Sequence, residues 1–469
     1  MLKKTFVLAA LTFIGAAALW AGGGKAAQSA ALRGMDIVIG NWWEDWDVTT
    51  RKPRNEIEEK MLAYRTQIQK DYGFTIKEKN IAGWDEMAQL ASTSIMAENP
   101  AAQVFVLQPN WAMPLYHQKL LYPVSDSKSV DFSASKPVEW NKDTTRAFTF
   151  DGKAYAFSVG YGTSQHANGV FFNKRLFEEA GLNPNLPYDM QKAGTWTWNA
   201  FLDICKKLTR DINNDGIMDT YALTADLSTE ILDPIVASNG ANYVDKDAAG
   251  KFVNATGRPE FLQALQYAIR LQREGVLMPR PENTNWDWFR PMFHDGKVAM
   301  QIGQQYVAQE LRDMTDDWGF VLFPKGPNVK DYRYSSDENV LVIPSTYTPE
   351  QADKILQAVK LWYTPVADDP DAWKLEQYPN YRDARAVDET LAMIRDPKYG
   401  SMKYYVFING LQRGDIAWNM WWYEGDPAQL VESVSQSWNA LINDANGIKY
   451  PDKRGPGAPA YPAETICPG

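Results

Sequence analysis

Residues 169–182 read GVFFNKRLFEEAGL, and residues 195–208 read TWTWNAFLDICKKL. The first stretch is an apolar run that ends at Asn173 and Lys174 and passes into a short helical pattern closed by Gly181. Such a run predicts a buried strand, and a glycine just past the last periodic residue is a common helix stop. In the second stretch Thr197 is placed to cap the first turn of a helix whose inner face carries Phe201, Ile204 and Leu208. Together the two stretches predict one strand-and-helix unit of an α/β lobe.

The pattern upstream is of the same kind. A strand is expected over 37–39 and an amphipathic helix over 55–72, with Ile57, Met61, Tyr64 and Ile68 on one face and Gly73 closing it. A strand over 74–76, a helix over 84–97 and a strand over 104–107 follow, an alternation that predicts a doubly wound parallel sheet. Ligands of such sheets bind beyond the carboxyl ends of the strands. The residues there are Asn41, Trp42, Trp43, Glu44, Asp45 and Trp46 after the first strand, and Gln108, Pro109, Asn110 and Trp111 after the third. A helix over 426–443, with Leu430, Val434, Trp438 and Leu441 inward, precedes a tail rich in proline and glycine.

Other short segments carry a family likeness. Residues 293–302 read FHDGKVAMQI, residues 323–327 FPKGP and residues 120–124 LLYPV. With the two opening stretches, in this order, the chain from about Met35 to about Pro365 resembles extracellular solute-binding family 1. These are the periplasmic, maltose-binding-like sugar-binding components of bacterial ABC importers. The resemblance implies a two-lobed periplasmic-binding-protein fold, doubly wound sheets joined by a hinge with the ligand in the cleft between them. It also implies the lobe boundaries: 35–157 with 323–364 for the N-terminal lobe, and 158–322 with 365–469 for the C-terminal lobe.

Lys3 and Lys4, an uncharged apolar stretch over 5–20 and the small residue Ala21 predict a signal peptide over 1–21, cleaved near Ala21, ahead of a glycine- and alanine-rich flexible linker over 22–34. The other reading of this stretch is an uncleaved anchor, for which the apolar run is short. With no cysteine near the cut, a diffusing periplasmic or secreted protein is expected, without membrane insertion. Cleavage takes the net charge from −10 to −12, and a chain with no basic block offers no footprint for nucleic acid. Cys205 and Cys467 could pair across the C-terminal tail, or Cys205 could be a buried free thiol. The three histidines, His117, His166 and His294, form no zinc or triad pattern.

The chain holds 18 tryptophans. A sugar ring offers an apolar C–H face and a rim of hydroxyls, so a site for it needs aromatic plates with carboxylates and amides at the edge. Trp42, Trp43, Trp46, Trp111, Tyr306, Trp421 and Trp422 are candidate plates, and Asn110, Glu230 and Asp337 candidate rim groups. For any single tryptophan, burial in the core is the competing reading. The family likeness matches Asn110 and Trp111 to a sugar-holding loop, Tyr306 to the aromatic after the Ala-Met strand, and Trp421 or Trp422 to a C-terminal stacking aromatic. It departs from the family at Ala102 and Gln103, where an aspartate is usual, and at Asn110, where many members carry Asp.

Asp211, Asn213, Asp215, Ile217 and Asp219 stand at alternate positions with Gly216 sixth, the spacing of a calcium loop in which Ile217 contributes its carbonyl. The twelfth position is Ala222 in place of the bidentate glutamate. A structural calcium ion or a polar turn are the two readings. The functional expectation is a monomeric, non-enzymatic binding protein that closes on an oligosaccharide or sugar derivative and hands it to an ABC permease, or presents it to a sensor. The alternative is a secreted glycoside hydrolase or lyase using Glu44 with Asp45 or Asp47.

Overall fold

The computed structural model describes residues 31–447 apart from 135, 161–165, 225–227, 286–287, 367–370, 397 and 421–425. The signal peptide, most of the linker, Trp421, Trp422 and Cys467 therefore lie outside the described residues. Leu32, at the end of the expected linker, is fully buried. Gly34 N donates to Gly73 O, so the packed chain begins ahead of Met35.

The first sheet is built from β1 (Asp36–Asn41), β2 (Thr75–Asn80) and β3 (Val104–Leu107), linked by α1 (Glu56–Tyr72) and α2 (Trp84–Met96), with α3 (Pro109–His117) after β3. β1 pairs parallel with both β2 and β3. All four residues of β3 are buried, as expected of a strand covered on both faces. Asn55 caps α1 by accepting from Glu58 N, and Gly73 closes it with φ 67°. Ile57 and Ile68 face the core as predicted, joined by Arg65. The Arg65 guanidinium lies between the rings of Trp46 and Trp362, 4.2 Å and 3.9 Å from their centroids.

The second lobe contains β4 (Asn168–Asn173), then α4 (Trp198–Leu208), β5 (Leu223–Thr224), α5 (Ser228–Ser238), α6 (Pro259–Arg273), β6 (Met300–Gln304) and β7 (Trp318–Leu322), of which β4, β6 and β7 form one sheet. β4 is central and pairs antiparallel with β6 and β7. Its six residues are all buried. Gly169 is required there, because a Cβ would lie 2.5 Å from the Val321 carbonyl oxygen. Thr197 caps α4 by accepting from Ala200 N, with Phe201, Ile204 and Leu208 buried beneath.

The remaining elements are β8 (Tyr334–Ser336), β9 (Val340–Val342), α7 (Pro349–Trp362), β10 (Gly400–Met402), α8 (Gly414–Met420) and α9 (Pro427–Ala445). β9 pairs antiparallel with β3 and completes the first sheet as β9-β3-β1-β2. β8 pairs with β10 on the side of the second lobe, where α8 packs on α5 and α9 on α6. In α9, Leu430 and Trp438 are buried, with Val434 and Leu441 packed beside them.

The return of the chain to the first lobe does not fall at Phe323. Lys325 N donates to Trp196 O, Trp198 N to Lys325 O and Gly326 N to Ser238 O, which stitches FPKGP to TWTW inside the second lobe. The passage lies between Ser336, paired with Met402, and Val340, paired with Leu107. Earlier in the chain, Val159 is bridged to Trp140, and Asn168 opens β4 in the second lobe. No helix among the described residues is long and apolar enough to cross a membrane.

Candidate functional site

At the carboxyl ends of β1 and β3 the chain gathers an aromatic corner. Buried Asn41 organises it: its Oδ1 accepts from Trp43 N at 3.0 Å and Glu44 N at 3.3 Å, and its Nδ2 donates to Glu44 O. This turn sends the two adjacent indoles apart, leaving Trp42 half-buried and Trp43 47% exposed. Trp42 meets Trp43 at 4.8 Å, Trp111 at 5.1 Å and Trp84 at 5.6 Å, all edge to face. Trp84 meets Trp111 at 4.7 Å. Edge-to-face packing locks the four rings together while leaving outer faces open. Trp84 is 50% exposed and belongs to this corner, although the sequence reading placed it only on a helix. Its signal was its position directly after Gly83, in the first turn of α2 beyond the end of β2. Asn110 is exposed on the same turn of α3 as Trp111.

Trp46 is not part of the corner. Its backbone bridges to Glu78, its ring is 7% exposed, and it packs against Arg65 and Trp362. The carboxylates proposed for hydrolysis are also committed elsewhere. Glu44 pairs with Arg51 at 3.2 Å, Asp45 accepts from Asn80 N at 2.8 Å, and Asp47 caps Thr49.

The second group joins the other lobe to the passage between lobes. The Arg290 guanidinium donates to both Glu310 oxygens, at 2.8 Å and 2.9 Å, and reaches the Tyr306 hydroxyl at 3.5 Å. Glu230, on the first turn of α5, feels Arg290, Arg413 and Lys403, yet burial dominates and pushes its carboxyl above the ordinary value. Lys403, 3% exposed, lies 3.2 Å from Asp337 and 3.5 Å from Asp233, and its N–H holds Ser336 O. Arg413 pairs with Asp233 and donates to the Tyr405 hydroxyl, which in turn donates to Asp233. Burial opposes ionisation of Asp337, but Lys403, His166 and Arg413 outweigh it and pull the carboxyl down to about 2. The structure thus brings together Glu230, Tyr306 and Asp337 through Arg290, Lys403 and Arg413, three cations that no sequence motif had marked.

The two groups meet along the chain itself. Val340 pairs with Leu107, so Asn339 stands beside the start of the Gln108–Trp111 turn, while Asp337, two residues earlier, is held by Lys403. The buried Asn339 Oδ1, Asn168 Oδ1, Gln305 Nε2 and Ser158 Oγ have no hydrogen-bond partner among the described residues. Buried polar atoms without partners cost about 1–3 kcal/mol each and mark places where a ligand or water bonds.

The calcium-like loop lies apart, between α4 and β5. Asp211 accepts from Asp215 N and Gly216 N, Asp219 from Ile212 N and Asn213 N, and Asp215 from Ile217 N and Asn213 Nδ2. The carboxylates cap the loop's own backbone, and among the described residues no three acidic, histidine or cysteine groups converge as a metal site. Cys205 is a fully buried free thiol, and burial pushes it well above the ordinary range.

Residues 54–368 match the family described as bacterial extracellular solute-binding protein. The polygalacturonan/rhamnogalacturonan-binding protein YtcQ of Bacillus subtilis is 24% identical over 247 residues, 51% of this chain and 47% of that protein. The chain therefore spans about half the length of this curated relative. Among solved structures, the substrate-binding protein Lmo0181 of Listeria monocytogenes in complex with cycloalternan superposes with TM-score 0.58 at 16% identity, covering 88% of this chain and 100% of that one. The cyclic alpha-maltosyl-1,6-maltose binding protein of Arthrobacter globiformis gives 0.58 at 13%, over 87% and 99%. UgpB of Mycobacterium tuberculosis in complex with glycerophosphocholine gives 0.57 at 15%, over 87% and 98%. At these identities the superpositions speak for the fold alone, whereas the family match extends over most of the chain: the protein belongs to the bacterial extracellular solute-binding proteins and has their two-lobed α/β fold.

Proposed function

We propose that the protein captures an oligosaccharide or sugar derivative between its lobes and delivers it to the permease of an ABC importer, as a binding protein and not a hydrolase. The observation that carries this is the four-tryptophan corner. Trp43 and Trp84 keep about half their surface in solvent although each packs edge-on against Trp42. Large apolar rings held rigid and open beside unpartnered amides suit a ligand with C–H faces and a hydroxyl rim. The cycloalternan and the cyclic alpha-maltosyl-1,6-maltose of the similar structures, and the polygalacturonan and rhamnogalacturonan of the curated relative, support a carbohydrate. Commitment of Glu44, Asp45 and Asp47 to an ion pair and turn caps supports binding over hydrolysis.

Export with cleavage near Ala21, a periplasmic or secreted location and a monomeric state belong to the same proposal. So does closure about the passage at residues 337–339, since ligand held by both lobes favours the closed arrangement. Calcium at Asp211, Asn213, Asp215, Ile217 and Asp219 is proposed as a structural addition that requires the loop's carboxylates to exchange backbone partners for the ion.

A thermal-shift screen of the mature protein against an oligosaccharide panel tests the reading. Ligand at about 100 times its Kd adds about 2.7 kcal/mol of stability. Unmasking of new reducing ends in the same incubations would instead identify an enzyme, and no shift with any glycan would overturn the sugar assignment. Small-angle scattering with the best ligand should show compaction, and an unchanged radius of gyration at saturation would rule out closure.

A further inference from the structure

A cavity of about 10 Å³ has Asp233 and Val236 of α5, Tyr243, Ser335 of β8, Lys403 and Tyr405 among its lining residues. Asp233 uses its two carboxylate oxygens unequally. Oδ2 takes Arg413, the Tyr405 hydroxyl at 3.2 Å and Lys403 at 3.5 Å. Oδ1 is also buried but has no hydrogen-bond partner among the described residues, and the same holds for the Tyr243 hydroxyl. The Tyr243 ring is fixed by edge-to-face packing on Phe261 at 5.1 Å and Tyr405 at 5.4 Å, so it is not free to carry its hydroxyl elsewhere. Lys403 Nζ has three donors and meets two carboxylates, Asp337 at 3.2 Å and Asp233 at 3.5 Å, which leaves one N–H over.

One buried acceptor and two donors therefore border the same small space. A space of about 10–15 Å³ is enough for one water, and buried waters make about three hydrogen bonds. Asp233 and Asp337 are matched by Lys403 and Arg413, so a neutral guest suits this space better than an ion.

We propose that the cavity is a site for one internal water molecule, which accepts from Tyr243 Oη and Lys403 Nζ and donates to Asp233 Oδ1. Its role is to hold Lys403 in place. That residue moors the passage between the lobes twice, through its backbone N–H to Ser336 O and through Nζ to Asp337. The water thus completes the network that ties α5 and Tyr243 to the passage.

A crystal structure of the mature protein without sugar, at a resolution that shows ordered solvent, should place one solvent peak about 2.5–3.2 Å from Tyr243 Oη, Asp233 Oδ1 and Lys403 Nζ. A cavity without density, a direct bond from Tyr243 to Asp233, or a peak that scatters more strongly than water would each overturn the proposal. Tyr243→Phe then tests the sign of the effect. With the water present the variant loses a bond, so its denaturant midpoint should fall, and amide exchange over residues 336–339 should quicken more than that of β1. In a dry cavity the same change removes a buried hydroxyl that has no partner, and the midpoint should stay or rise. A midpoint that does not fall would overturn the water, and equal changes in exchange would overturn its part in the mooring. If Tyr243→Phe does not fold, the wild-type density decides the question.

Discussion

The aromatic corner and the charged group are built in opposite ways. Each tryptophan of the corner follows directly on the end of a strand or opens the next helix, so short-range structure places it, and the rings then lean on one another at 4.7–5.6 Å. The charged group draws Asp233, Asp337, Lys403 and Arg413 from segments far apart in the chain, and only the finished fold brings them within bonding distance. The first is an open surface, whose loss is expected to cost binding. The second is a buried network whose loss costs the fold.

The largest effect that could break this contrast is on Lys403. Lys403→Met fills the same volume but leaves Asp233 and Asp337, 1% and 13% exposed, without their shared cation. Breaking a buried pair from one side costs about 3–5 kcal/mol, whereas Trp43→Ala on the open corner should change stability by less than about 0.5 kcal/mol. Denaturant unfolding of both variants checks the pair, and equal midpoints would show that the charged group is not a structural lock.

Binding should show the reverse order. Trp84→Ala and Trp43→Ala should each cost on the order of 2 kcal/mol of sugar affinity while the melting curve stays in place. Trp46→Ala, four positions from Trp42 but packed against Arg65 and Trp362, should lose about 3–5 kcal/mol of stability instead. If calorimetry finds Trp84→Ala neutral with the best ligand, the corner is only three rings wide.

Acid separates the two regions by another route. Asp337 is held near 2 in the folded chain against an ordinary value of 3.8, so it binds fewer protons folded than unfolded. Its contribution, about 2 kcal/mol, is present above the unfolded value and is lost as pH falls from about 5 towards 2. Asp337→Asn should flatten the acid limb of the stability curve over that window. An unchanged slope would mean that other carboxylates carry it. Substitutions in the tryptophan corner should leave the slope alone.

How much could be read from the chain beforehand follows the same division. The strand at Gly169–Phe172, the Thr197 cap and the helix from Asp426 were legible because each is set by neighbours within one or two turns. That Trp42, Trp43 and Trp111 stand beyond strand ends is legible in the chain, whereas the packing of Trp84 against Trp42 and Trp111 is set by the fold. The hinge expected at Phe323 was misplaced because FPKGP looks like a connection, whereas its backbone is bonded to Trp196 and Trp198 across the lobe. Arg65, Lys403 and Arg413 were invisible for a physical reason: a lone cation in a polar stretch looks solvated until its partner is known.

The smallest effect concerns the loop from Asp211 to Asp219, a region where local sequence spoke clearly but the fold answers in backbone terms. Asp211 and Asp219 spend their oxygens on the loop's own N–H groups, an arrangement that can hold a turn unaided. An ion that binds only the folded loop would add about 1.4 kcal/mol at about ten times its Kd. Chelation should then lower the melting temperature of the wild type by the corresponding few degrees. Asp215→Ala removes a ligand charge from an exposed position and should abolish that sensitivity without changing sugar affinity, because the carboxylates of Asp211, Asp215 and Asp219 bond within the loop. Melting curves that coincide with and without chelator, together with no metal by elemental analysis, would establish that the alternating carboxylates serve only as caps for the turn.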